Sequence, residues 1–195
     1  MNQKYTSINR RTYLIATGSA TAGMVSLAGC SGDKATGTLA TQVTDQPGDI
    51  ADFESCAVTI VGMWLGPEGA EAGDEDGEEP ADREYHEYDE PQEADLVELQ
   101  DEATQLVDER ELETATYEFL QLDIDSVDAT LKDESDATVE VPGEAPLTFN
   151  QAFEVREDTR TVFTGDFTPV QRGPDGSYVL QPVAQGITVE YEEEE

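Results

Sequence analysis

Apolar and polar residues alternate along much of this chain, and the alternation has period two. GTLATQVTD, residues 37–45, sets Leu39, Thr41 and Val43 against Ala40, Gln42 and Thr44, which predicts a strand. DQPGD follows as a turn. SCAVTIVGMWL, residues 55–65, carries the strongest strand signal. Cys56, Val58, Ile60 and Trp64 fall on one face and Ala57, Thr59, Val61, Met63 and Leu65 on the other. Apolar residues on both faces predict a central strand. TATYEFLQLDIDSV aligns Leu120, Leu122 and Ile124. DATL and ATVEV flank KDESD as a hairpin, Leu147 with Phe149 and Phe153 with Val155 mark short strands, and GPDG joins TRTVFTGDF to SYVLQPV. ITVEY reads as the last strand, and the terminal EEEE should fray.

Two segments depart from this period. DEATQLVDEREL places Ala103, Leu106 and Val107 at helical spacing and predicts a short helix. Residues 66–94, GPEGAEAGDEDGEEPADREYHEYDEPQEA, lose all periodicity and predict a long, mobile acidic surface loop. About eight short, turn-punctuated strands predict an all-β fold, an antiparallel β-sandwich of immunoglobulin-like or transthyretin-like type, with one short helix and that acidic loop.

The N-terminus has a different pattern. Residues 13–29 form an uncharged run of 17, diluted by Thr17, Gly18, Ser19, Thr21, Gly23 and Ser26. A spanning helix needs about 20 predominantly apolar residues. A basic start, a mildly apolar middle and a small-residue end match a secretory signal instead. Arg10-Arg11 with Thr12-Tyr13-Leu14 behind them read as a twin-arginine export address, although Asn9 stands where Ser or Thr is usual. Leu27-Ala28-Gly29-Cys30 matches a lipobox at all four positions. Cys30 is then the lipidation site, since a thiolate is the side chain nucleophilic enough to take the lipid. Stable anchoring needs two chains, each buried CH2 contributing about 0.8 kcal/mol. The predicted organisation is a signal peptide at 1–29, an anchor and tether at 30–36, a sandwich at 37–191 and an acidic tail at 192–195. The tether spans at most about 20 Å, so the domain is expected close to the extracellular face of the membrane.

Charge narrows the environment. The chain holds 45 acidic and 10 basic residues, a formal charge of −35. Removal of 1–29 takes Lys4, Arg10 and Arg11 and no acid, leaving seven basic residues and −38. Such a charge repels nucleic acid and anionic membrane surfaces. A disordered acidic chain and a folded halophilic protein compete as readings. The acids lie within strand-patterned segments, and only Lys34 and Lys132 remain as lysines. That pattern favours the halophilic archaeal reading, because at 1 M salt the Debye length is about 3 Å and self-repulsion is screened. With Cys30 lipidated, Cys56 is left alone in an apolar run and reads as a buried thiol.

The order GTLATQVTDQP, SCAVTIVGMWL, ADLVELQDEATQLV, ATYEFLQLDI, VEVP, TRTVFTGDFTPV and YVLQPV resembles the family numbered 4382 among domains of unknown function. The resemblance rests on a G-x-L-x-x-x-x-T-D-x-P strand, a D-L-x-x-L-Q run, a Tyr strand, and a D-F segment before a final L-x-P. It covers residues 37 to about 189. The acidic insertion and Glu113-Thr114-Ala115, where a Gly often precedes the Tyr strand, are departures from it. The resemblance implies an extracytoplasmic β-sandwich, often on lipoproteins, and no activity, so no site residues carry over.

Catalytic signatures are sparse. His86 is the single histidine and lies in the acidic insertion, a poor platform for preorganised catalysis. No G-x-S-x-G elbow or phosphate-cradling Gly-Lys motif occurs. No enzyme activity, metal centre or cofactor is expected. A carboxylate-based hydrolase is the alternative from another class. For calcium, setting Gly77 as the EF-hand glycine places Ala72 and Arg83 at the end ligand positions, so that loop fails. Asp74, Glu75, Asp76, Glu78 and Glu79 are weak calcium candidates, against a solvated charge run. Asp45 reads as an Asx-type turn residue. Tyr85, His86 and Tyr88 are weak candidates for stacking on a sugar or protein partner. No N-glycosylation sequon follows Asn2, Asn9 or Asn150. The functional expectation is a lipid-anchored cell-surface binding or structural module, with a calcium-stabilised adhesion domain as the runner-up.

Overall fold

The period-two pattern becomes strand almost throughout the computed structural model, which describes residues 34–45, 48–73, 81–101, 103–141, 146–173 and 176–193. The export pair Arg10-Arg11, the lipobox Leu27-Ala28-Gly29, Cys30, and the calcium candidates Asp74, Asp76, Glu78 and Glu79 lie outside those residues. The strands are β1 (Thr36–Thr44), β2 (Phe53–Pro67), β3 (Glu84–Asp95), β4 (Gln105–Glu113), β5 (Ala115–Leu131) and β6 (Asp136–Ala137). There follow β7 (Val139–Glu140), β8 (Leu147–Phe149), β9 (Phe153–Val155), β10 (Thr159–Arg172), β11 (Ser177–Pro182) and β12 (Thr188–Glu193). A short 3-10 turn spans Asp49–Asp52.

The strands form two sheets packed as a sandwich. Sheet one runs β4-β1-β10-β11-β7, and β12 lies beside the first half of β10. Sheet two runs β3-β2-β5-β6, and β8 and β9 take successive stretches of the β5 edge that β2 does not occupy. After the β5–β6 hairpin the chain crosses to sheet one as β7, returns to sheet two as β8 and β9, and enters sheet one again as β10. Pairing is antiparallel throughout sheet two. Sheet one is mixed, because β1 pairs β10 in parallel and β7 pairs β11 in parallel. Chain-distant strands meet there, and no short turn dictates their direction.

The core between the sheets is aromatic and aliphatic. Phe149, Phe153, Phe163 and Phe167 are sealed from solvent together with Leu39, Ile60, Met63, Leu65 and Leu120. Their rings meet at tilted or edge geometry, Phe153 and Phe163 at 5.1 Å. Full burial of each such side chain contributes about 1.5–3 kcal/mol relative to exposure.

Four expectations change. DEATQLVDEREL forms no helix: it supplies β4, which pairs antiparallel with β1 and buries Val107. Ladder pairing and core burial outweigh the helical propensity of its Glu, Leu and Arg residues. The predicted loop 66–94 is only partly loop. Its end forms β3, paired with β2 from Leu65↔Glu84 to Ala57↔Asp95. Dense charge masked an edge strand, where exposed acids guard unpaired backbone groups. The acidic tail begins later than residue 192, since Glu192 and Glu193 pair with Arg160 and Thr159. Two residues assigned by the sequence to a tether already contact the domain: Lys34 makes a 2.6 Å ion pair with Glu113, and the Ala35 carbonyl accepts from the Thr114 N–H.

β2 is interior, as its apolar content predicts, but for a different reason. Its register with both neighbours slips between Ile60 and Gly62. Before the slip Cys56, Val58 and Ile60 face the core, and after it Met63 and Leu65 do. A β-bulge thus switches the inward phase and turns Trp64 outward, away from the face the sequence assigns it.

Candidate functional site

The bulge in β2 builds the most distinctive surface feature. Cross-strand register lines up Tyr85 on β3, Trp64 on β2, Gln121 on β5 and Thr148 on β8 in one row across sheet two. The adjacent row holds Gly62 opposite Asp123. Tyr85 packs on Trp64 with ring centroids 4.4 Å apart and leans over Gly62 to donate from its hydroxyl to Asp123 Oδ2 at 2.9 Å. Gly62 is needed for that path, since a Cβ there would stand 2.6 Å from the Tyr85 hydroxyl oxygen. Arg83 lies over the Trp64 ring, its guanidinium carbon 3.9 Å from the centroid. Its Nη1 donates to Gln121 Oε1 at 2.6 Å. The Gln121 amide in turn donates to Thr148 Oγ1 at 2.8 Å and to the Ala72 carbonyl at 3.1 Å.

Trp64 is therefore fixed by an aromatic ring, a cation and a buried amide network, while Tyr85 remains 40% exposed. Burial first, and the Asp123 carboxylate second, push the Tyr85 phenol up to about 12. It stays a neutral hydroxyl at any physiological pH. Burial lowers the Arg83 pKa, and Asp123 opposes that effect. Tyr85 offers a partly exposed ring, backed by Trp64 and flanked by donors and acceptors, a chemistry suited to stacking with hydrogen bonding.

The structure divides the predicted recognition trio, because residues on one strand alternate faces. Tyr85 points to the outer platform. His86 and Tyr88 point the other way, toward β4. Tyr88 is 7% exposed and belongs to the core, with the Arg110 guanidinium 5.5 Å from its ring centroid. Its expected exposure is wrong, because the segment read as loop is a strand with an inward face. His86 is half-buried beside Glu84, 3.9 Å away. Burial lowers its pKa, the nearby Arg110 lowers it further, and Glu84 and Asp108 oppose both. Trp64, Arg83, Gln121 and Asp123 are absent from the sequence-derived candidates. A glycine inside a strand pattern is a bulge signal, and Gly62 is the residue that could have exposed the switch of face.

A second concentration of chemistry is internal. Asp45, at the end of β1, is 1% exposed, and Asp166, in mid-β10, is 0% exposed. Burial first raises the Asp45 pKa to about 7, and Asp166 raises it too, while the nearby Thr168 hydroxyl opposes them. The Asp45 carboxylate makes no aligned hydrogen bond among the described residues, and residues 46 and 47 of the expected Asx turn lie outside them. Asp45 and Asp95 both act on Cys56, whose thiol burial pushes up to about 12, as its predicted inert role requires. Sealed from solvent, the aspartate pair gives a hydrolase no open cleft.

A groove of about 320 Å³ runs between the sheet edges, lined by Tyr88, Asp89, Gln92, Leu106, Asp108 and Glu109 among others. Five of its lining residues are acidic or amide-bearing, and Tyr88, Leu106 and Val107 are the apolar members, of which Leu106 is 46% exposed. Among the described residues no group of three or more His, Cys, Asp or Glu side chains is placed to hold a metal, and no helix is long and apolar enough to cross a membrane.

No curated protein matches the chain, and no solved structure does. The family model described as Domain of unknown function (DUF4382) matches residues 36–182, from the first residue of β1 to the last of β11. That span takes in sheet two and all of sheet one but β12, with the Trp64 platform and the Asp45–Asp166 pair, and the chain belongs to this family.

Proposed function

We propose that this protein is a lipid-anchored binding module on the outer surface of a halophilic archaeon. It is exported by the twin-arginine route and held in the membrane through Cys30. The observation that carries the binding reading is the Trp64–Tyr85 pair, braced by Arg83, Gln121 and Asp123 on the outer face of sheet two. Rigid aromatics surrounded by polar groups suit the alternating apolar faces and hydroxyls of a sugar chain. A surface glycan is therefore the favoured ligand, and a surface protein is the other. The anchor reading is supported by the lipobox and the Arg10-Arg11 address. The halophilic reading is supported by the charge of −35 on a chain that folds as a sandwich. At molar salt that charge is screened over about 3 Å and does not bar an anionic polysaccharide.

The test uses polysaccharide and protein fractions from the cell envelope, offered to the full chain in molar KCl. Trp64→Ala and Tyr85→Ala should each reduce capture at least about tenfold, in line with losses of 1–3 kcal/mol for stacked aromatics. A thermal melt of each variant separates lost binding from lost fold. Undiminished capture by both folded variants contradicts the platform.

A further inference from the structure

Apart from the Trp64 platform, sheet one buries a second cluster of polar side chains. The parallel register of β1 and β10 sets Thr44 opposite Asp166, so Asp45 emerges beside it. Both carboxylates are sealed from solvent. Neither oxygen of Asp45 has an aligned hydrogen-bond partner among the described residues, and the buried Thr168 hydroxyl has none either, although it stands near enough to Asp45 to oppose the rise of its pKa. The surrounding backbone is otherwise committed. The Asp45 N–H donates to the Leu99 carbonyl at 3.3 Å, and the Val183 N–H donates to the Asp166 carbonyl at 2.8 Å. Gly186 closes over the Asp166 carboxylate, and any Cβ there would collide with Oδ2. Among the described residues the groups that act on Asp45 are Thr168 and Asp166, neither of them cationic. Burying a carboxylate without hydrogen bonds or a counter-charge is strongly unfavourable. Native structures leave few such groups without an ion, a water or a proton to explain them.

We propose that Asp45, Asp166 and Thr168 form an internal binding site for a hard cation, calcium foremost. The donors are all oxygen, which selects calcium, magnesium or sodium over zinc or copper. The ion joins the end of β1 to the middle of β10, under the turn that carries Gly186. It acts on stability and not on the Trp64 platform, so the two can fail separately.

The experiment is a thermal melt of the full chain in molar KCl, chelator-treated and then titrated with CaCl2 or MgCl2. A further arm replaces KCl by NaCl at equal molarity. Calcium should raise Tm saturably. Asp45→Asn should lose that rise, and Asp133→Asn, which alters a fully exposed carboxylate, should keep it. Thr168→Val serves where Asp45→Asn does not fold, and should move the half-effect to higher calcium. Magnesium or sodium acting in place of calcium, with the same loss in Asp45→Asn, also supports a hard-cation site. An equal calcium response in wild type and Asp45→Asn places the ions on the acidic surface and overturns the proposal. A wild-type Tm that responds to acidification and to none of the cations shows a shared proton instead, and overturns it too.

Discussion

At the scale of single residues, environment decides what each side chain can do. His86 is the only imidazole in the chain, so its titration is unambiguous. Burial first, then Arg110, hold its folded pKa below the ordinary 6.5. The sign follows: the unfolded chain takes up the proton first as pH falls. The stability contributed by neutral His86 is present above 6.5 and is lost as pH drops from there through the folded pKa. An NMR titration in molar KCl should place the ring midpoint below 6.5, and His86→Gln should flatten the stability profile in that window. A midpoint above 6.5 would mean that Glu84 and Asp108 outweigh burial. Salt screens those carboxylates more than it relieves desolvation, so the depression should persist.

At the scale of elements, most strands were legible because their alternation is local. The β5–β6 and β10–β11 hairpins follow from KDESD and GPDG, and β8, β9 and β12 from short apolar alternations. What was illegible depends on distant partners. The Leu106-Val107 spacing fits a helix or a strand, and only β1 decides between them. β3 hides in charge, and β2 changes face at a bulge. The proposed recognition platform was half legible for the same reason: Tyr85 is local, whereas Trp64 reaches it through that bulge. Asp45 and Asp166 are 121 positions apart in sequence, and only the parallel pairing of β1 with β10 unites them. A paired deletion tests this assignment of 66–94. Replacing 74–80 by a Gly-Ser link of equal length should change stability by no more than about 1 kcal/mol, because closure depends weakly on loop composition and length. Removing 84–92 strips β2 of its partner and deletes the buried Tyr88. Truncations of buried aromatics cost about 3–5 kcal/mol, so that variant should melt far lower or fail to fold. Equal melting of the two variants would return β3 to a dispensable loop.

At the scale of the whole molecule, the charge and the proposed anchor carry the predictions about where the domain works. The described arginines are committed to partners. Arg160 bridges Glu109 on β4 and Glu192 on β12 at 2.8 and 2.7 Å. Arg156 pairs with Glu154 at 2.6 Å and covers the Tyr191 ring at 3.7 Å. Exposed pairs of this kind contribute about 0–1 kcal/mol each, too little to offset a formal charge of −35. At about 0.01 M salt the Debye length approaches 30 Å, and the carboxylates repel one another across the domain. Dialysis from molar KCl to dilute buffer should therefore lower Tm and loosen the β signal in circular dichroism, and an unchanged Tm would contradict a halophilic design. The central claim is that this sandwich is held at the cell surface by a lipid on Cys30. Its most direct test is fractionation of cells carrying Cys30→Ser. The account predicts that the protein leaves the membrane fraction for the medium or stays unprocessed, whereas a processed Cys30→Ser protein still bound to the membrane would contradict it.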